Sequence, residues 1–309
     1  MAIDMQRLLD PELQEILGAF EMPSLDRDVL ATFRANPFPT VERSGAVKYT
    51  EHEVPGDPAV PVRVYRASES DVPRPALLHI HGGGYIIGSY TMDEQLFDRW
   101  CPKLDIVGVS VDYRLAPEHP YPAALDDCYA ALAWTFERAD ELGIDRDRIG
   151  IGGISAGGGL SAALALLARD RGELPVAFQL LDCPMLDDRQ HTQSIGLEGL
   201  YVWTRESNEF GWRSYLGDLY GTSDLPIYAA AARATDLAAL PPAFVSVGAI
   251  DGFRDEDVDY ATRLNQAGVP CELHVYPGLP HGYGLVPGAA MVKRALSDVD
   301  DWLARQVSR

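Results

Sequence analysis

Cysteine, positive charge and long apolar runs are all scarce in this chain. Its four cysteines, Cys101, Cys128, Cys183 and Cys271, lie far apart with no C-x-x-C pair, a spacing that predicts neither a zinc site nor a disulfide framework. Only 26 lysines and arginines stand against 46 aspartates and glutamates, a formal net charge of −20. That balance argues against nucleic acid or an anionic membrane surface as partner. No stretch approaches the roughly 18 unbroken apolar residues of a membrane span, so none is expected. The opening Met1-Ala2-Ile3-Asp4 lacks a basic region followed by an apolar run. No signal peptide is therefore expected, and the cytoplasm is the default compartment. Internal repeats and low-complexity segments are also missing. What remains is an ordinary globular composition, 47% hydrophobic over 309 residues, enough to bury a sizeable core.

Two periodicities organise the chain. Leu8, Leu9, Leu13, Ile16, Leu17 and Phe20 recur at helical spacing, and a second short helix is expected from Leu25 to Phe33. Strand patterns follow at Ala46 to Val54 and at Val60 to Arg66, the short link between them predicting an antiparallel pair. Continuous apolar runs come next: Ala76 to Ile80, Ile106 to Val111, Ile149 to Gly153, Val176 to Leu181, Ala243 to Val247 and Cys271 to Tyr276. Such runs suit strands buried on both faces of a mostly parallel sheet. Helix patterns separate them at Met92 to Leu104, Ala123 to Leu142, Ala156 to Arg171, Asp255 to Ala267 and Ala289 to Val307. The alternation predicts an α/β fold of about eight strands flanked by helices. The aromatic-rich residues 184–225 interrupt it. Together with residues 1–45 they are expected to form a helical cap over the carboxyl edge of the sheet, where ligands bind in such folds. Residues 46–183 and 226–309 then make the two parts of the core.

The chemistry gathers at loops that follow strands. Gly153-Ile154-Ser155-Ala156-Gly157 sits between an apolar run and the Ala/Leu-rich stretch Leu160 to Ala168. A serine at the apex of such a strand-turn-helix stands clear of the sheet as a nucleophile, and small neighbours relieve the turn. A glycine-rich turn needs no chemistry by itself, so partners are required. Of seven histidines, only His281, in Pro277-Gly278-Leu279-Pro280-His281-Gly282-Tyr283, combines a loop after a strand with a late position. Asp251 follows the strand Ala243 to Val247 and suits a group that orients the imidazole. Its rivals Asp255, Glu256 and Asp257 read as the opening turn of a helix, where the helix dipole explains acidic residues. His81-Gly82-Gly83-Gly84 offers backbone N–H groups for a developing negative charge. A phosphate loop is excluded because G-x-x-x-x-G-K-[ST] is absent. Gly150 to Ser155 begins like a dinucleotide fingerprint but carries serine in its last place.

These segments, with Tyr113 to Ala124, Gly158 and Asp251 through Glu256, resemble the bacterial branch of the hormone-sensitive-lipase-like carboxylesterases. The likeness runs from about residue 75 to 285, and the order Ser155, Asp251, His281 is that of α/β-hydrolases. The resemblance implies an α/β-hydrolase sheet with a helical cap. It implies Ser155 as nucleophile, His281 as general base and acid, and Asp251 as orienting group. Gly83, Gly84 and Ala156 would supply the oxyanion N–H groups, and Tyr113 to Ala124 would brace them. It further implies small ester substrates with short- to medium-chain acyl or aryl groups, no metal or cofactor, and homodimers paired through the last strand. Two positions depart from the family pattern. Ile154 replaces a common Asp before the nucleophile and is expected to alter the packing behind it. Gly252 replaces a common Pro after Asp251 and is expected to loosen that loop.

The expected function is therefore a serine carboxylesterase. An amidase, deacetylase or lactonase would use the same residues, and turnover of matched esters and amides separates them. A non-catalytic ligand-binding relative is disfavoured because such relatives lose the base, and His281 is kept. Tyr85, Tyr201, Trp203 and Trp212 are the expected pocket residues. The short cap predicts soluble, short acyl esters as substrates.

Overall fold

The computed structural model describes residues 5–17, 23–35, 45–286 and 288–308. Each of the eight strand patterns becomes a strand: β1 Lys48–Val54, β2 Val60–Arg66, β3 Arg74–Ile80, β4 Val107–Val111, β5 Ile144–Ile154, β6 Gln179–Asp182, β7 Ala243–Gly248 and β8 Cys271–Tyr276. They form one sheet in the order β1-β2-β4-β3-β5-β6-β7-β8. β1 pairs antiparallel with β2, and β2 with β4; every later pairing is parallel. β3, β4 and β7 are buried along their whole length, which is why their sequences are apolar without alternation. β6 starts later than its sequence pattern. Ala177 still donates to Ile149 O at 2.8 Å, but the continuous ladder begins at Gln179.

The flanking helices are α4 Glu94–Leu104, α5 Ala123–Glu137, α6 Ala156–Arg171, α8 Arg254–Gln266 and α9 Ala290–Val307. α5 stops five residues before the expected Leu142. Ahead of the sheet, the apolar repeat from Leu8 divides into α1 Met5–Leu8 and α2 Pro11–Leu17. Pro11 favours a first helical position, and Asp10 Oδ1 accepts from Glu12 N at 2.9 Å, so a new helix starts there. Phe20 lies outside the described residues. Asp26 caps α3, Arg27–Ala35, by accepting from Asp28 N and Val29 N. The interruption between β6 and β7 contributes α7, Arg205–Leu216. Among the described residues no helix is long and apolar enough to cross a membrane.

Parallel register is what assembles the site. Ile80 lies beside Gly153, Ile154 beside Asp182, Asp182 beside Ser246, and Gly248 beside Tyr276. The loops after β3, β5, β6, β7 and β8 therefore leave the sheet from one edge, the carboxyl edge at which α/β folds bind ligands.

Candidate active site

Ser155 stands between β5 and α6 with φ 57° and ψ −120°, a conformation costing a non-glycine residue about 1–3 kcal/mol. Only small neighbours allow so sharp a reversal. A Cβ on Gly157 would lie 1.9 Å from Ile80 O, and one on Gly153 would lie 2.3 Å from Gly157 O. The turn is pinned by Ser155 N donating to Asp182 O at 2.9 Å and Met185 N donating to Ser155 O at 2.9 Å. His281 reaches Ser155 from the turn after β8. Its Nε2 is 2.9 Å from Ser155 Oγ, and its Nδ1 is 2.8 Å from Asp251 Oδ2. A carboxylate only accepts, so Nδ1 carries the proton and Nε2 is left to accept from the serine hydroxyl. Asp251 is buried, and its other oxygen accepts from Phe253 N at 2.9 Å. Phe253 meets the imidazole edge-on at 4.9 Å, shielding the pair from water.

Gly83 and Gly84, at φ 112° and 58°, turn the chain past Ser155. Gly84 sits against an aromatic wall, since a Cβ there would lie 2.1 Å from the Trp203 ring. Among the described residues, no group accepts from the N–H of Gly83, Gly84 or Ala156. Ala156 opens α6, where a helix leaves its first N–H groups without internal partners. The His81 ring stacks on Tyr113 at 4.2 Å, and Tyr113 Oη donates to His81 O at 3.1 Å. Arg34 donates to Ile86 O and to Ala116 O, tying α3 to the same turn.

One cavity of about 360 Å³ opens on Ser155 and His281, a volume within the range of small-molecule sites. Ile87, Met92, Leu96, Ile154 and Leu180 line its apolar part, and Leu25, Val202, Trp203 and Leu285 also face it. Of the four aromatics expected in the pocket, only Trp203 lines it. Tyr85 stacks on Tyr215 at 4.0 Å and donates to Met185 O, Trp212 is fully buried against Tyr85, and Tyr201 packs on the core. Tyr85 and Trp212 thus belong to the packed interior, and Tyr201 is half-buried against it. Ile154, a departure from the family pattern, is one of the residues that line the cavity. Gly252 is closely packed. A Cβ there would lie 2.8 Å from Ile195 Cδ1, and Ser194 Oγ donates to Gly252 O at 2.7 Å. Close packing, which a larger residue would disrupt, holds the segment.

The acids after Asp251 have a different role from the one their position suggested. Glu256 is buried and accepts from Leu186 N and Asp187 N at 2.8 and 3.1 Å. It secures the segment after β6 rather than merely facing the helix dipole. Asp257 is wholly buried, and among the described residues neither of its carboxyl oxygens has a hydrogen-bond partner. Burial, with Glu256 and Asp251 nearby, pushes its carboxyl well above the usual range. The folded protein thus keeps a proton that the unfolded chain releases, and stability falls as pH rises from the ordinary carboxylate range toward that raised value. Asp257→Asn should remove this loss. Its stability should exceed that of the unmodified protein at about pH 8 by about 1 kcal/mol, roughly 2 °C in Tm. The gap should close toward about pH 4. Thermal melts at both pH values check this, and an equal gap at both would refute it.

Cys183 Sγ, Asp251 and His281 bring three potential ligand atoms within 4.8 Å of one another. Burial pushes the Cys183 thiol well above its ordinary value, and metals bind the thiolate, so this trio is a poor metal site. Asp182, half-buried at the end of β6, is pushed up by desolvation while Tyr283 and Ser246 donate to it at 2.7 Å each.

Known proteins share this arrangement of strands and loops. A family profile of the alpha/beta hydrolase fold matches residues 77–285. The esterase LipI of Mycobacterium tuberculosis is 33% identical, covering 88% of this chain and 92% of that protein. The carboxylesterase NlhH of Mycobacterium tuberculosis is 40% identical over 75% of this chain and 74% of its own. The solved structure of a bacterial heroin esterase superposes with a TM-score of 0.91 at 39% identity, over 98% of this chain and 99% of the other. The chain belongs to the α/β-hydrolase fold family, within its bacterial hormone-sensitive-lipase-like carboxylesterases.

Proposed function

We propose that this carboxylic ester hydrolase is a serine esterase that works through an acyl-enzyme. Ser155 Oγ attacks the ester carbonyl while its proton passes to His281 Nε2. Asp251 holds the imidazole in the useful tautomer and stabilises the imidazolium. The N–H groups of Gly83, Gly84 and Ala156 receive the oxyanion of the tetrahedral intermediate. Its collapse breaks the bond to the alcohol oxygen, and the alcohol leaves with the proton from His281. Water then attacks the acyl-enzyme, His281 takes and returns a proton as before, and the carboxylic acid is released.

The observation that carries this reading is the unbroken hydrogen-bonded series from Asp251 through His281 to Ser155 at 2.8 and 2.9 Å, beside unpaired backbone N–H groups. A cavity of about 360 Å³ supports short- to medium-chain acyl groups. Hydrolysis of p-nitrophenyl esters from acetyl to dodecanoyl is the test. Turnover should peak among the short and medium chains and fall steeply at dodecanoyl. A peak at dodecanoyl would overturn the acyl range, and no turnover of any chain would overturn the general esterase reading. Faster turnover of matched anilides than of esters would favour an amidase.

The helices ahead of the sheet and the segment carrying α7 belong, in this proposal, to one cap. In its support, Ser24 Oγ lies 3.0 Å from Thr204 Oγ1, Leu25 N donates to Ser207 Oγ, and both segments face the cavity through Leu25 and Trp203. The sheet-edge position of β8 is consistent with pairing through that strand.

A further inference from the structure

The cavity beside Ser155 contains a cation that the hydrolytic chemistry does not use. Arg99, on α4, lines it together with Leu96 and Trp100. Its Nε lies 3.2 Å from Asp300 Oδ1 on α9, but the N–H is not aligned to donate, and among the described residues neither Nε nor Nη2 has a hydrogen-bond partner. Asp300 is already committed, accepting from Trp100 Nε1 and Lys103 Nζ at 2.8 Å each. Several other polar groups on these walls are engaged with neighbours. His79 lies 2.9 Å from Asp93, Ser110 donates to Asp93, and Tyr283 and Ser246 donate to Asp182. Arg99 thus leaves two guanidinium nitrogens unpaired at the wall of a largely apolar cavity, and a buried donor left unpaired is costly.

The cavity's two sides differ. The departing alcohol takes its proton from His281 and must leave, so it belongs beside His281, Val202 and Leu285, the last 55% exposed. The acyl group stays bonded to Ser155 and belongs on the other wall, along Ile87, Met92, Leu96 and Ile154, where Arg99 also stands. Charge narrows the ligand further. Arg99 and Lys103 are offset by Asp300 and Asp182, the two acids acting on or beside them. An added carboxylate would be buried without a counter-charge, whereas a neutral oxygen accepts a hydrogen bond and adds no charge.

We propose that Arg99 is a specificity-determining residue that donates to a neutral oxygen, a carbonyl or an ether, near the far end of the acyl chain held on Ser155. The proposal rests on the serine esterase reading above. It predicts that the preferred acyl groups are oxygenated rather than plain alkyl.

The test compares p-nitrophenyl esters of plain alkanoates with equally long chains bearing a keto oxygen near the far end, and with half-esters ending in a carboxylate. In the unmodified protein, kcat/KM should favour the keto chain about 10- to 100-fold at the length that reaches Arg99, with no preference in shorter chains. In Arg99→Met the ratio of keto to plain chain should fall to about one, and Arg99→Lys should restore part of it. Because the readout is a ratio, a general loss of activity cancels. Should Arg99→Met fail to fold, the length profile of the unmodified protein still decides. Turnover of plain esters with no keto preference at any length, or a ratio unchanged in Arg99→Met, would overturn the Arg99 assignment alone. A preference for the carboxylate chain would overturn the neutral-oxygen assignment. No turnover of any ester would remove the hydrolase reading and this one with it.

Discussion

Ser155→Ala should lower kcat for p-nitrophenyl acetate by about 10⁴- to 10⁶-fold, with little change in KM. The size follows from what the hydroxyl alone supplies. Without Oγ no acyl-enzyme forms, and His281 has only water to activate. The N–H groups of Gly83, Gly84 and Ala156 remain, so a residual rate above that of free solution should persist. The fold should survive, because the backbone bonds of Ser155 to Asp182 and Met185 do not involve the side chain. Ser155→Gly sharpens the expectation. At φ 57° and ψ −120° glycine is unstrained, so this variant should be as inactive as the alanine yet more stable than the parent by about 1 kcal/mol. Steady-state rates and thermal melts on the three proteins decide both points. Alanine retaining activity within tenfold of the parent would dismiss Ser155 as nucleophile. A glycine variant no more stable than alanine would dismiss the strain.

Asp251→Asn should cost about 10³- to 10⁴-fold in kcat/KM with the chain still folded. The carboxylate accepts twice, from His281 Nδ1–H and from Phe253 N. An amide of the same shape has one accepting and one donating end. Turned one way, its NH₂ meets the Phe253 N–H, donor against donor. Turned the other, its NH₂ donates to Nδ1 and drives the imidazole proton to Nε2, where it opposes the serine hydroxyl at 2.9 Å. The second arrangement keeps the packing and ruins the base. Labelling of Ser155 by an organophosphate should slow in the same proportion as ester turnover, because both need the serine proton removed. A labelling rate equal to the parent's would mean that Asp251 does not govern the base.

Much of the fold was legible because its signals act locally. Burial on both faces makes β3, β4 and β7 mostly apolar, and the turn around Ser155 demands glycines within two residues. The misreadings share a cause. Tyr85 and Trp212 suit a pocket by type and lie in packed interior, and the acids Glu256 and Asp257 suit a helix dipole by position and lie buried, Glu256 against the segment after β6. In each case the residue type was right for the local element, but its neighbours came from a distant part of the chain.

By itself the sequence determined the order of strands and helices and the three residues that meet as Ser155, His281 and Asp251. Periodicity and turn chemistry depend on residues a few positions apart, and each of the three sits in a turn or loop that follows a strand of a mostly parallel sheet. Only the tertiary structure decided which side chains border the cavity and how their charges are balanced. Arg99 faces it because α4 packs on α9, where Trp100 and Lys103 both donate to Asp300. That contact joins segments about two hundred residues apart, and no local pattern records which face of a helix it will turn inward.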